Sequence, residues 1–138
     1  VSVGRGTDAP FEQIGAPWID GVELADHLNA RSLPGIRFYP VGFTPESSKH
    51  ADQQCGGIYM IVTNRNLLRP VRVGLEVAAA LHQLYGDAFE IDAAAHLFGS
   101  RDTLNRIKAD DDPSAIAQSW VADEAAWRRL RAPYLLYY

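Results

Sequence analysis

Glycine and proline are divided unevenly along this chain. Nine of its 11 glycines and six of its eight prolines fall within residues 1–74. Both interrupt regular structure, glycine through its freedom and proline through its missing amide hydrogen. The front half is therefore expected to be rich in loops and short strands, and the rear half helical. No internal repeat or low-complexity segment breaks that division.

With 138 residues, 47% of them hydrophobic, the chain is expected to form one domain with a core that needs no staples. Its single cysteine, Cys55, allows neither an intrachain disulfide nor a cysteine zinc cluster. The net charge is −4, and the basic residues are scattered singly except near the C-terminus. That distribution disfavours a nucleic-acid partner and a polybasic membrane anchor. The apolar runs are too short for a membrane span. The chain opens on Val1-Ser2-Val3, shows no signal peptide, and has Met60 as its sole methionine. It is expected to be part of a longer protein.

Local signals place the elements. Asp8 can cap a short helix through Ile14 that Gly15 ends. Asp20 and Glu23 have capping-box spacing, with Ile19 and Leu24 as the staple, opening a helix that Pro34-Gly35 stops. Ile36 to Phe43 alternates like a strand, and Pro40 makes it an edge. Ile58 to Thr63, released by Gly56-Gly57, is apolar on both faces and reads as a central strand. Pro70 suits the first turn of a helix that Gly86 closes after Tyr85, with Leu75, Val77, Ala78, Leu81 and Leu84 as its core face. Phe89 to Ile91 reads as a short strand. Asp92 can cap a brief helix ending at Gly99, and Ser100 another through Lys108. Asp112-Pro113 opens a last helix carrying Ile116, Trp120, Trp127 and Leu130 at helical spacing, ended by Pro133 and followed by the apolar tail Tyr134–Tyr138. The expected class is α+β, a small α/β sandwich with a short mixed sheet covered by helices.

Several residues could carry chemistry. Gly4 and Gly6 flank Arg5 and leave the backbone free to approach a ligand, while the guanidinium can fork onto a carboxylate or phosphate. The plainer reading is a tight turn with a solvated arginine. Asp8 and Glu12 would share one face of a helix, as a glycosidase pair requires, although a cap and a surface acid explain them more simply. Lys49-His50 sits in a long polar loop, residues 44–55, of the kind often used for function. His50 could move a proton, whereas Cys55 is better read as a small core residue than as a nucleophile. His27, His50, His82 and His96 show no metal-binding spacing. Glu76 and His82 point in different directions on their helix. Trp120 and Trp127 could stack on a sugar, but their apolar stripe favours core packing.

The opening Val1-Ser2-Val3-Gly4-Arg5-Gly6-Thr7-Asp8-Ala9-Pro10-Phe11-Glu12-Gln13-Ile14-Gly15-Ala16-Pro17-Trp18 resembles the start of the C-terminal domain of the NamZ-type exo-β-N-acetylmuramidases. The resemblance continues through Phe43-Thr44-Pro45, Lys49-His50, Cys55-Gly56-Gly57, Leu84-Tyr85 and Tyr134-Leu135-Leu136-Tyr137. Asp52 stands where the family pattern leads one to expect glycine. The resemblance implies a bacterial peptidoglycan hydrolase that releases N-acetylmuramic acid from non-reducing ends, exported or acting in cell-wall recycling. It further implies that residues 1–138 are the substrate-cleft domain of a two-domain enzyme. The partner domain, N-terminal and Rossmann-like, would carry the catalytic acid and is absent here. No catalytic residue can be carried over, and no cofactor or metal is implied. Arg5, Thr7, Asp8, Phe11, Lys49 and His50 become the expected substrate-binding or interdomain face, with Phe11, Ile14 and Trp18 forming an exposed apolar patch beside it. The alternatives are a cell-wall carbohydrate-binding module, or a small self-sufficient hydrolase using Asp8, Glu12 and His50.

Overall fold

A computed structural model describes residues 1–137. Within them a three-stranded sheet has the order β1-β3-β2, from β1 (Gln13–Ala16), β2 (Ile36–Phe43) and β3 (Cys55–Val62). Every pairing is antiparallel, so the α+β class holds while the sheet is not mixed. The strand containing Ile58 is central, and the one containing Pro40 is an edge, where a missing amide hydrogen leaves the ladder least disturbed.

The expected helix from Asp8 to Ile14 does not form. Residues 7–12 are bends and turns, and Gln13–Ala16 extend to pair with Tyr59–Gly56. A long-range strand partner overrides the local cap, since pairing buries the Ala16 and Gln13 positions against the rest of the fold.

Helix α1 (Gly21–Ala30) begins as its capping signal demands. Asp20 accepts hydrogen bonds from the amides of Val22 and Glu23 at 2.9 and 3.1 Å. Its buried stripe, Leu24, Ala25 and Leu28, packs on the sheet face formed by Ile36, Phe38 and Ile58. The helix starts in contact with the sheet itself. A Cβ on Gly57 would lie 2.0 Å from the Ile14 carbonyl oxygen, and one on Gly56 2.2 Å from that of Ile19. The double glycine thus belongs to β3 and lets backbone meet backbone. At the far end, the Asn29 side chain both donates to and accepts from the Phe38 backbone, at 2.7 and 3.1 Å, which occupies part of the free edge of β2.

Helix α2 (Pro70–Tyr85) is buried on two sides. Val73, Val77, Ala80 and Leu81 join the core around the sheet, whereas Leu75, Ala78 and Ala79 face Ile91, Leu104, Ile107 and Ile116. Full burial of a Leu or Ile stabilises by roughly 1.5–3 kcal/mol, so these two clusters hold the halves together. The second cluster comes from α4 (Arg101–Lys108), capped by Ser100, and α5 (Pro113–Ser119), capped by Asp112. Short α3 (Ala95–Phe98) precedes them, closed by Gly99 at φ +64°.

Three rear-half expectations change. Phe89–Ile91 is no strand: 3-10 turns at Gly86–Ala88 and Ile91–Ala94 bracket it, and Ile91 packs into the helical cluster instead. Asp92 caps nothing and accepts from Lys108 Nζ at 2.9 Å. The last helix breaks at Trp120 into α5 and α6 (Val121–Arg131), followed by a 3-10 turn at Ala132–Tyr134. Ile116 is buried and Trp120 half-buried, but Trp127 and Leu130 stand 59% and 63% exposed, so core packing fails for them. The tail runs exposed through Tyr137, and Tyr138 lies outside the described residues.

Candidate functional site

The opening segment is held to the sheet by Ser2, whose amide donates to the Gly15 carbonyl at 2.7 Å and whose carbonyl accepts from Gly15 at 3.1 Å. Beyond it the chain doubles back, and the Phe11 amide donates to the Val3 carbonyl at 2.8 Å. The reversal uses left-handed backbone at Gly4, Gly6 and Phe11, with φ near +77°, +80° and +67°. Thr7 ties this loop from within. Its hydroxyl donates to the Gly4 carbonyl at 2.7 Å and accepts from Gln13 Nε2 at 2.7 Å and the Ala9 amide at 3.2 Å. Thr7 is therefore committed to the loop. Asp8 is exposed and enters no ion pair among the described residues.

Arg5 sits over the Phe11 ring, 5.3 Å from its centroid, a cation–π contact that holds the guanidinium without consuming its hydrogen bonds. Phe11 is the one exposed member of the expected apolar patch. Ile14 and Trp18 are half-buried against the core, Trp18 packing on Tyr85 with ring centroids 5.3 Å apart. Glu12, with no helix to align it with Asp8, accepts a hydrogen bond from the Tyr59 hydroxyl on β3. That contact pushes the Tyr59 phenol above its ordinary value.

The long polar loop meets this segment backbone to backbone. The Glu46 amide donates to the Gly6 carbonyl at 2.8 Å, and a Cβ on Gly6 would fall 2.5 Å from the Ser47 carbonyl oxygen. Pro45 anchors the loop in the interior, and its carbonyl accepts from the Asp52 amide at 2.8 Å. Ser48, His50 and Asp52 are all left-handed, at φ +73°, +62° and +60°. Asp tolerates that region better than most residues, so the glycine expected at 52 has a physical reason and a physical substitute. Lys49 is exposed between them. His50 is half-buried with Nε2 lacking a partner, and burial, reinforced by Lys49, holds its imidazole below the ordinary value. Cys55 is fully buried, and burial pushes its thiol up, which opposes a nucleophilic thiolate.

Of the expected site residues, contact joins Arg5 to Phe11, and the Gly6–Glu46 junction brings the two loops together. No hydrogen bond or ion pair links Lys49 or His50 to Arg5, Asp8 or Glu12 among the described residues. Nor is there, among them, any group of three His, Cys, Asp or Glu side chains able to hold a metal ion. A groove of about 690 Å³ between Arg69–Arg72 and Ser114–Glu124 is lined by other residues altogether.

The family described as exo-β-N-acetylmuramidase NamZ, C-terminal, matches residues 1–137. The chain belongs to that family. A curated NamZ-family relative, the peptidoglycan β-N-acetylmuramidase NamZ of Bacillus subtilis (strain 168), is 36% identical over 140 residues, taking in 99% of this chain and 34% of the relative. The crystal structure of a DUF1343 family protein from Bacteroides fragilis NCTC 9343 superposes with a TM-score of 0.85 at 27% identity, over 99% of this chain and 38% of that one. The chain spans about a third of the length of these relatives.

For a NamZ-family domain, the face beside the opening motif also holds residues that the sequence reading passed over. Arg37 and Tyr39 on β2 and Ile61 on β3 lie on the sheet face opposite α1, and Tyr39 is 54% exposed. Tyr59 shares that face, paired in register with both Tyr39 and Gln13. The alternation of residues 36–43 carried the signal for Arg37 and Tyr39. The doubly apolar pattern of β3 hid the exposure of Ile61 and the half-buried position of Tyr59. Among the described residues no helix is long and apolar enough to cross a membrane.

Proposed function

We propose that this domain forms one wall of the cleft in which a longer exo-β-N-acetylmuramidase holds the non-reducing-end N-acetylmuramic acid of peptidoglycan fragments. The preceding, Rossmann-like part of that protein carries the catalytic acid. The observation that bears most weight is that four of the six left-handed, non-glycine residues among those described, Phe11, Ser48, His50 and Asp52, fall on two loops joined through Gly6 and Glu46, the other two, Ser32 and Asp110, lying just past helix ends. Such conformations cost of order 1–3 kcal/mol each and persist where a surface has a task to perform. Similarity to the C-terminal third of a peptidoglycan β-N-acetylmuramidase supplies the substrate class.

Arg5 binds the lactyl carboxylate of the sugar. Its guanidinium presents two parallel N–H groups, and the Phe11 ring beneath it fixes its plane without competing for those donors. Lys49 adds positive charge on the neighbouring loop. Thr7 and Gln13 hold the loop in shape, and Glu12 is restrained by Tyr59. Asp8 stays on the interdomain side of the motif as an exposed acid.

The test is Arg5→Lys in the longer enzyme, assayed on a chromogenic muramide. Losing one charged hydrogen bond of about 1.5–3 kcal/mol should lower kcat/KM by roughly tenfold or more. The melting temperature should stay in place. A lowered melting temperature with unchanged kinetics makes Arg5 structural and removes the reading's central residue. Binding of muropeptides by this chain alone, at the affinity of the longer enzyme, would instead establish a carbohydrate-binding module.

A further inference from the structure

Helix α6 contains no buried residue. It packs on the end of α5 and on its own 3-10 turn, and otherwise stands away from both cores. Eleven residues are too few for an isolated helix to be stable in water, so α6 needs a tertiary partner. Its sequence describes that partner. Trp127, Leu130 and Tyr134 follow at spacings of three and four, which sets them along one side, and Leu135, Leu136 and Tyr137 continue the apolar surface. Tyr134, Leu136 and Tyr137 are each at least 80% exposed. A monomer rarely leaves so many large apolar side chains together in water unless something covers them.

Two findings identify the cover. The family match runs to residue 137, so this exposed stretch lies inside the matched span of the domain and is no appendage to it. The relatives are about three times as long as this chain, which supplies a body of protein large enough to receive it. Charge refines the description. Arg128 is paired with Glu124, but Arg129 and Arg131 enter no ion pair among the described residues.

We propose that α6 and the tail form a clasp on the preceding, catalytic part of the longer protein. Trp127, Leu130 and Tyr134 seat in an apolar trough there, and acidic groups on its rim meet Arg129 and Arg131. This interface is separate from the Arg5 face. The inference rests on the reading that the chain is one domain of a longer muramidase.

Hydrogen exchange measured on this chain and on the longer protein tests it. Amides of residues 121–137 should exchange about 100-fold more slowly in the longer protein, because docking turns local opening into a costlier event. The double substitution Trp127→Ser with Leu130→Ser should restore fast exchange there, while leaving the melting temperature of this chain unchanged. Fast exchange of residues 121–137 in both proteins overturns the clasp. So does slow exchange in this chain alone, accompanied by dimers in sedimentation, since a second copy would then be the cover. Protection without any muramidase activity in the longer protein would uphold the clasp and sink the cleft reading. An Arg5→Lys kinetic defect without protection would do the reverse.

Discussion

Arg31 donates from Nε to Glu76 Oε2 at 2.8 Å, joining the end of α1 to the middle of α2 around a carboxylate only 2% exposed. Arg72 donates to the other oxygen at 2.7 Å, and the far side of the Arg31 guanidinium reaches both oxygens of Asp112 at 3.1 Å. Three helices thus meet at one buried acid. Glu76→Gln should destabilise the chain by about 2–3 kcal/mol, below the full cost of breaking a buried pair because both arginines keep some access to water. Urea unfolding checks this, and a shift under 0.5 kcal/mol would show that the network is ornamental.

Asp112 gives the same network a pH dependence. Partial burial raises its carboxyl, but the Ser114 amide and the Arg31 guanidinium outweigh this and hold it below its ordinary value of 3.8. A depressed carboxylate contributes stability that is complete above about pH 4 and disappears as pH falls through the folded-state value. The melting temperature of Asp112→Asn should therefore fall less steeply below pH 4 than that of the parent chain. Parallel acid limbs in the two curves would contradict the assignment.

Gly6→Ala should separate the two loops. The added Cβ meets Ser47 backbone at 2.5 Å, and φ near +80° suits no other residue type well. The expected loss is about 1–3 kcal/mol, with the Glu46–Gly6 hydrogen bond the first casualty. Amide exchange at Glu46 reports it directly, and an unchanged rate would place the junction elsewhere.

This chain by itself should release no muramic acid from peptidoglycan fragments. Hydrolysis of a glycosidic bond ordinarily takes two carboxylates flanking it, and here Glu12 is bound to Tyr59 while Asp8 has no helix to bring it alongside. Turnover by the chain that vanishes in Glu12→Gln would make it a self-sufficient hydrolase.

What the sequence disclosed and what it concealed divide along a physical line. Asp20, Pro70, Gly86 and Ser100 act within a turn of their own position, and each begins or ends the helix its local chemistry announces. Asp8 announces a helix just as clearly and loses it, because residues 13–16 find partners at 56–59, 40 to 46 positions away. Trp127 and Leu130 show a second limit. Periodicity states which side of a helix seeks cover, and says nothing of whether the cover is present. Within the candidate site, the glycine-flanked Arg5 and the polar loop with His50 were legible from composition and punctuation. That Tyr59 and Tyr39 share a face with Gln13 was not, since only strand register reveals it.

The order β1-β3-β2 carries a kinetic consequence. The β2–β3 hairpin closes over the 11 residues between Phe43 and Cys55, a short search for a chain end. Strand β1 must instead return across α1 and β2 to reach β3, so it docks against a surface that already exists, at the greater entropic cost of a longer closure. Everything ahead of Gln13, Arg5 included, is in place only after that docking. The compact hairpin is therefore expected to form before the Arg5 segment is in place, and a lesion that slows the arrival of β1 should delay that segment more than it delays collapse.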